Sequence, residues 1–215
     1  MSLPSSPSGA SGFLGANTAS SEFNMLNFLI WSVLSRVNIC TLVEVMAVTN
    51  SGADVPAGFV DIRPMVNLVD GAGNMVPHGT IFHCPYFRLI GGANAVILDP
   101  QVGDIGLACF ADHDISSVIA NQAQSNPGSW RRFDMSDGLY LGGFLGKANP
   151  TQFLQFSASG INITSPSAVT ITATNINLVG NVASTGTLTN NSKNVGSAHE
   201  HSGVTAGGSN TGAPI

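Results

Sequence analysis

The sequence predicts a mainly β chain with one helix near its N-terminus, and three observations carry that expectation. Between residues 39 and 130, apolar residues gather in short β-rich runs divided by turn residues. Between Lys147 and Lys193 there is no charged residue, and apolar side chains alternate with Ser, Thr and Asn. Only residues 20–38 repeat apolar residues at helical spacing.

Composition sets the bounds. Of 215 residues 9% are charged, against roughly 25% in an average soluble domain. The net charge of −5 gives no basic surface for nucleic acid. No run approaches the roughly 18 apolar residues of a membrane-spanning helix; the longest, MLNFLIWSVL, is broken by Asn27 and Ser32. The opening MSLPSSPSGASG lacks the positive segment of a signal peptide and reads as a flexible arm. A protein that hides its surface in an assembly explains so few charges. Cys40, Cys84 and Cys109 each sit in an apolar run without CxxC spacing, so they read as core thiols folded in a reducing cytoplasm.

Residues 1–38 form the first region, an arm and an amphipathic helix. Ser20 or Ser21 caps the helix, and Glu22 faces the positive end of its dipole. Leu26, Leu29, Ile30, Val33 and Val37 follow at helical spacing, widened by Phe28 and Trp31. Such a helix is marginal alone. Its partner is its own domain, a symmetry mate or a neighbouring protein.

Residues 39–146 form the second region. TLVEVMAV, GFVDIRPMVNLVD, TIFHCPYFRLI, NAVILD and DIGLACFA read as five strands, and DISSVIANQ as a short helical turn. Turn signals such as Asp70-Gly71 and Gly91-Gly92 divide them. The phrase DPQVGD reads as a tight turn fixing the register of the last two. Five strands over some ninety residues fit a small closed barrel, for which the OB-fold is the five-stranded solution.

Residues 147–194 carry a weak repeat of short strands. Leu154 and Phe156, Ile161 and Ile163, Val169 and Ile171, and Ile176 and Leu178 are pairs at i, i+2, each pointing to one face of a strand. Phe153 breaks the pattern and points to the other face. A disordered Ser/Thr-rich linker would not need this alternation. Two apolar residues per strand are too few for a core within one chain. Three chains around a common axis bury each pair and pair the sheet edges, giving a trimeric intertwined β-helix or β-prism shaft.

Residues 195–215 are expected to form a small apex with a metal site. In an extended segment His199 and His201 project to one side and Glu200 to the other. On a threefold axis, three copies supply six imidazole nitrogens, which suits an octahedral ion. Structural zinc prefers four ligands, so iron, one per trimer, is the expected cofactor. Surrounding glycines suit a narrow tip. His78, His83 and His113 share no spacing and read as structural.

The barrel, the uncharged repeat and the terminal VGS-x-H-x-H-x-GV-x-x-GGSNTG-x-P together resemble the central spike, or baseplate assembly protein V, family of Mu-like contractile-tailed phages. The resemblance covers roughly residues 39–215, and the terminal motif is its most specific part. It implies an N-terminal OB-fold, a trimeric β-helix and an apex holding iron through His199 and His201 of three chains. It implies a homotrimer in the virion, at the tip of the tail baseplate and assembled in the host cytoplasm, whose barrel end binds the tail hub and which pierces the host outer membrane. The N-terminal helix has no counterpart in the minimal family pattern. No lysozyme-like segment is visible, so penetration without peptidoglycan cleavage is expected.

A trimeric receptor-binding fibre or adhesin is the alternative. Its tip would carry aromatic loops, yet no Phe, Tyr or Trp follows Phe156. An iron enzyme would need a carboxylate beside its histidines. Glu200 points away, and no other acid follows Asp137, so the chain is not expected to be an enzyme.

Overall fold

A computed structural model describes residues 18–49, 51–52, 56–70, 72–197, 203 and 207. The chain divides into two compact units, residues 1–150 and 151–215. Both are β-rich, and the one long helix lies near the N-terminus.

In the first unit, helix α1 spans Glu22–Leu34, and Ser21 caps it by accepting a hydrogen bond from the Asn24 N–H at 3.2 Å. None of its residues is buried. The expected arm at residues 1–17 lies outside the described residues.

Strands β1 (Cys40–Thr49) and β2 (Phe59–Pro64) pair antiparallel, with a bulge between Val45 and Ala47. β3 (Leu68–Val69) and β4 (Met75–Val76) form a small hairpin closed by Asp70, whose carboxylate accepts from the N–H groups of Ala72 and Asn74. β5 (Ile81–Pro85) returns to β2. A second hairpin joins β6 (Leu89–Gly91) to β7 (Asn94–Val96). β8 (Ile105–Phe110) pairs with β1, helix α2 (Ser116–Asn121) follows, and a 3-10 turn at Met135–Asp137 leads into β9 (Gly138–Leu145).

The main sheet has the order β5-β2-β1-β8-β9. Its two ends approach each other: Tyr86, just past β5, forms a parallel bridge to Tyr140 of β9, and the Phe87 N–H donates to the Tyr140 carbonyl at 2.7 Å. Alternation puts Val43, Val45, Val60, Ile62, Cys84, Ala108, Phe110 and Tyr140 in one core.

Three expectations need correction. The fifth strand of the main sheet is β9, not NAVILD, whose first residues pair with β6. The pattern of β9 is hidden by Gly142 and Gly143: Gly142 (φ +120°) lies where the register against β8 shifts, so two-residue alternation fails there. Glycine at 106 is required for the same pairing, because a Cβ there would collide with the Gly142 carbonyl and the Tyr140 ring.

The DPQVGD turn does form, with the Asp104 N–H donating to the Gln101 carbonyl. It sets the approach to β1, not a register between its flanking strands: the Gly103 N–H donates to the Val45 carbonyl and the Val45 N–H to the Asp104 carbonyl.

Cys40 and Cys109 are not core thiols. They face each other across β1 and β8 at a Cα separation of 4.1 Å and form a disulfide. Cys40 is exposed and Cys109 half-buried. Cys84 alone is a buried free thiol, pushed up to about 12 by burial and then by Asp61 and Asp137.

In the second unit, β10 (Phe153–Ser157) and β11 (Gly160–Thr164) form an antiparallel hairpin. Another joins β12 (Thr189–Asn190) to β13 (Lys193–Asn194) through Asn191 and Ser192, both at positive φ, as a two-residue hairpin turn requires. The pairs Val169/Ile171 and Ile176/Leu178 lie in backbone with no strand partner among the described residues.

Candidate functional site

Two features of the second unit are candidates for function: an uncovered apolar row and the terminal histidines. In the β10–β11 hairpin Leu154 stands opposite Ile163 and Phe156 opposite Ile161. Because each pair is spaced i, i+2, all four side chains share one face. Phe153 and Gln155 point to the other face, opposite Thr164 and Asn162. The hairpin turns tightly at Gly160 (φ +126°), where the Ser157 hydroxyl donates to the Gly160 carbonyl at 3.1 Å. Phe156 is nevertheless 72% exposed and Ile161 63%. Val169, Ile171, Ile176 and Leu178 are exposed as well, and among the described residues of 151–215 none is buried. Exposing such a row is unfavourable by roughly 25 cal/mol per Å² of apolar surface.

His199 and His201, with Glu200 between them, lie outside the described residues. Gly203, two residues on, has a φ of +85°, so the backbone turns sharply just past the pair. Among the described residues no group of three or more His, Cys, Asp or Glu side chains could hold a metal. His83 stacks on Phe59 with ring centroids 3.7 Å apart, and His113 pairs with its neighbour Asp112 at 2.8 Å. His78 is exposed.

The first unit holds two polar clusters that the sequence pattern does not announce. Arg88 and Asp99 are 3% and 8% exposed in their side chains and pair at 2.6 Å. The guanidinium also donates to the Gly52 carbonyl and the Tyr86 hydroxyl, and the Gly52 N–H donates to Asp99. Burial alone would raise the Asp99 carboxyl, but the hydrogen bonds from Arg88 and Gly52 outweigh it and hold the carboxyl below its ordinary range. This pair ties the β6–β7 hairpin to the loop after β1.

In the second cluster Arg131 bridges Asp114 and Asp137, each at 3.0 Å. Asp114 also accepts from the Ser116 N–H at 2.9 Å and the Ser129 hydroxyl at 2.6 Å. Hydrogen bonds from Ser116 and Ser129, with Arg131 beside them, lower its carboxyl to about 2. Asp137 accepts from the Ile115 N–H and from Arg131. The cluster pins α2 and the long loop after it to the start of β9. An open cavity of about 590 Å³ lies alongside, walled by Phe82, Pro85, Ile119 and the His83–Phe59 stack. Asp137 in its lining is committed to hydrogen bonds from Arg131 and the Ile115 N–H. No protein-family model matches the chain, and no curated protein matches it.

Proposed function

We propose that the chain is the central spike of a contractile phage tail or a related injection machine, a homotrimeric needle driven through the host outer membrane when the sheath contracts. One observation carries the reading: the apolar pairs of β10 and β11 share one hairpin face, and neither they nor the pairs Val169/Ile171 and Ile176/Leu178 that follow are buried. Two further copies around a common axis cover that row and supply edge partners for the segments that lack them. The shaft carries no charge between Lys147 and Lys193, so it enters lipid without charges to desolvate.

The first unit serves as the attachment end. Its strand order, with the Tyr86–Tyr140 bridge drawing the outer strands together, supports a closed five-stranded barrel of the OB type. Exposed apolar side chains outside it, such as Phe82, Phe87 and Phe144, suit docking on a tail hub protein. The spike is a virion component at the baseplate tip. It acts mechanically, not as an enzyme, and has no nucleic-acid partner.

His199 and His201 fit an iron ion by their donor chemistry, since three chains present six imidazole nitrogens and the backbone turns at Gly203. Bound there, the ion ties three chain ends together where strands fray most. Light scattering on the purified protein is expected to give a trimer, and elemental analysis about one iron per three chains. A monomer would overturn the reading. His199→Ala with His201→Ala is expected to remove the iron and leave the trimer intact. Metal retained in that variant would remove the assignment of the two histidines.

A further inference from the structure

Among the described residues, nothing buries any side chain of helix α1. Phe23, Leu26, Ile30 and Val33 are each at least 50% exposed, and no residue of the helix is buried. Its polar residues Asn24, Asn27 and Ser32 are scattered, so the helix is apolar nearly all round. Helices of this kind occur buried, and one of 13 residues is marginal alone in water.

Its sequence indicates what covers it. Phe23, Leu26, Ile30 and Val33 follow one another at intervals of three, four and three, the spacing of a coiled-coil seam. Glu22 is the one charged residue of the helix and sits in its first turn, facing the dipole of its own helix. There is therefore no charge pattern to select a different chain, and no like-charge repulsion along a seam of identical copies. Thirteen residues span only about 20 Å, too little to supply the roughly 800 Å² per partner of a stable interface. The helix must act beside a second interface. A trimeric shaft provides one, raising the effective concentration of the three helices to about the millimolar range.

We infer that the three α1 helices of the trimer pack on one another through Phe23, Leu26, Ile30 and Val33 as a short three-helix bundle. This rests on the trimeric reading of residues 151–194. The occupant of the seam is two further copies of this chain, so the bundle forms in the purified protein without a hub.

The test uses full-length Ile30→Cys labelled with pyrene maleimide. Cys40 and Cys109 are bonded to each other and Cys84 is buried, so the label goes to the introduced thiol. Excimer emission from a particle that light scattering sizes as a trimer is the expected result. A trimer without excimer overturns the bundle and leaves the shaft reading standing; a monomer overturns both. Met25 lies about 140° around the helix from Ile30, and Met25→Cys is expected to give weaker excimer emission. Equal emission from the two positions overturns the seam. A second variant avoids the label. Leu26→Asp with Ile30→Asp is expected to lower the thermal midpoint of trimer dissociation, and an unchanged midpoint overturns the proposal.

Discussion

The two units of this chain follow the same alternation rule to opposite ends. In β2 every second residue is buried, and β1 turns Val43 and Val45 to the same core; Val43, Val45, Val60 and Ile62 are at most 1% exposed. In β10 and β11 the row Leu154, Phe156, Ile161 and Ile163 is as regular, yet stays in water. What differs is the far side. The main sheet brings its end strands together over its own row through Tyr86 and Tyr140, whereas the hairpin has no second layer among the described residues. Alternation therefore states which face must be covered. It does not state how many chains do the covering.

The largest expected effect comes from breaking the uncovered row. Ile161→Asp with Ile163→Asp places two charges where three chains are proposed to meet, at a cost no short interface survives. Light scattering is expected to fall from three chains to one, while residues 1–150 still melt cooperatively. A surviving trimer would mean that this row is not the interface. The converse change is Ile62→Ala in the covered row, expected to destabilise the first unit by about 2–5 kcal/mol in denaturant titration. It should leave three chains per particle, because Ile62 lies in the other unit.

Much of the first unit is readable from sequence because its rules are local. The Ser21 cap, the Asp70 turn and the alternation of β1, β2 and β8 are written within a few residues. β9 is not, because its recognition depends on knowing that Gly142 marks a bulge against β8, a contact more than thirty residues away. The disulfide escapes for a similar reason. Cys40 and Cys109 are 69 residues apart, and only the antiparallel register of β1 and β8 places them opposite one another. The polar clusters are not legible, because Arg88 meets Asp99 and Arg131 meets Asp114 and Asp137 only once the loops are folded together. In the second unit the row of apolar residues is legible, and so is the face shared by the β10 and β11 pairs. Val169, Ile171, Ile176 and Leu178 have no strand partner among the described residues. His199 and His201 stand on sequence alone.

The disulfide gives the first unit a restraint that the second lacks. Closing a loop of this length stabilises the folded state by about 2–4 kcal/mol. Reduction, or Cys40→Ser, is expected to lower the melting temperature of residues 1–150 and leave the assembly of residues 151–215 unchanged. Alkylation under denaturing conditions should modify Cys84 alone before reduction and all three cysteines after it. Three modified thiols without reductant would show that the pair does not close in solution.

Acid separates the two units most gently. Asp114 has its carboxyl lowered to about 2 from an ordinary 3.8 by Ser116, Ser129 and Arg131. The unfolded chain thus takes up this proton before the folded one does. Its stabilising contribution is complete above about pH 4 and is lost as the pH falls toward 2. The denaturation midpoint of the first unit should therefore drop across that window, and drop less in Asp114→Asn. Equal slopes in the two proteins would place the acid sensitivity elsewhere. Residues 151–199 contain no carboxylate at all. Over the same window their association should hold steady, so a particle at pH 3 that has kept three chains while its first unit has weakened is the expected outcome. An assembly that fell apart in step with Asp114 would mean that the contacts holding three chains together lie in residues 1–150, and that the uncovered row is not what joins them.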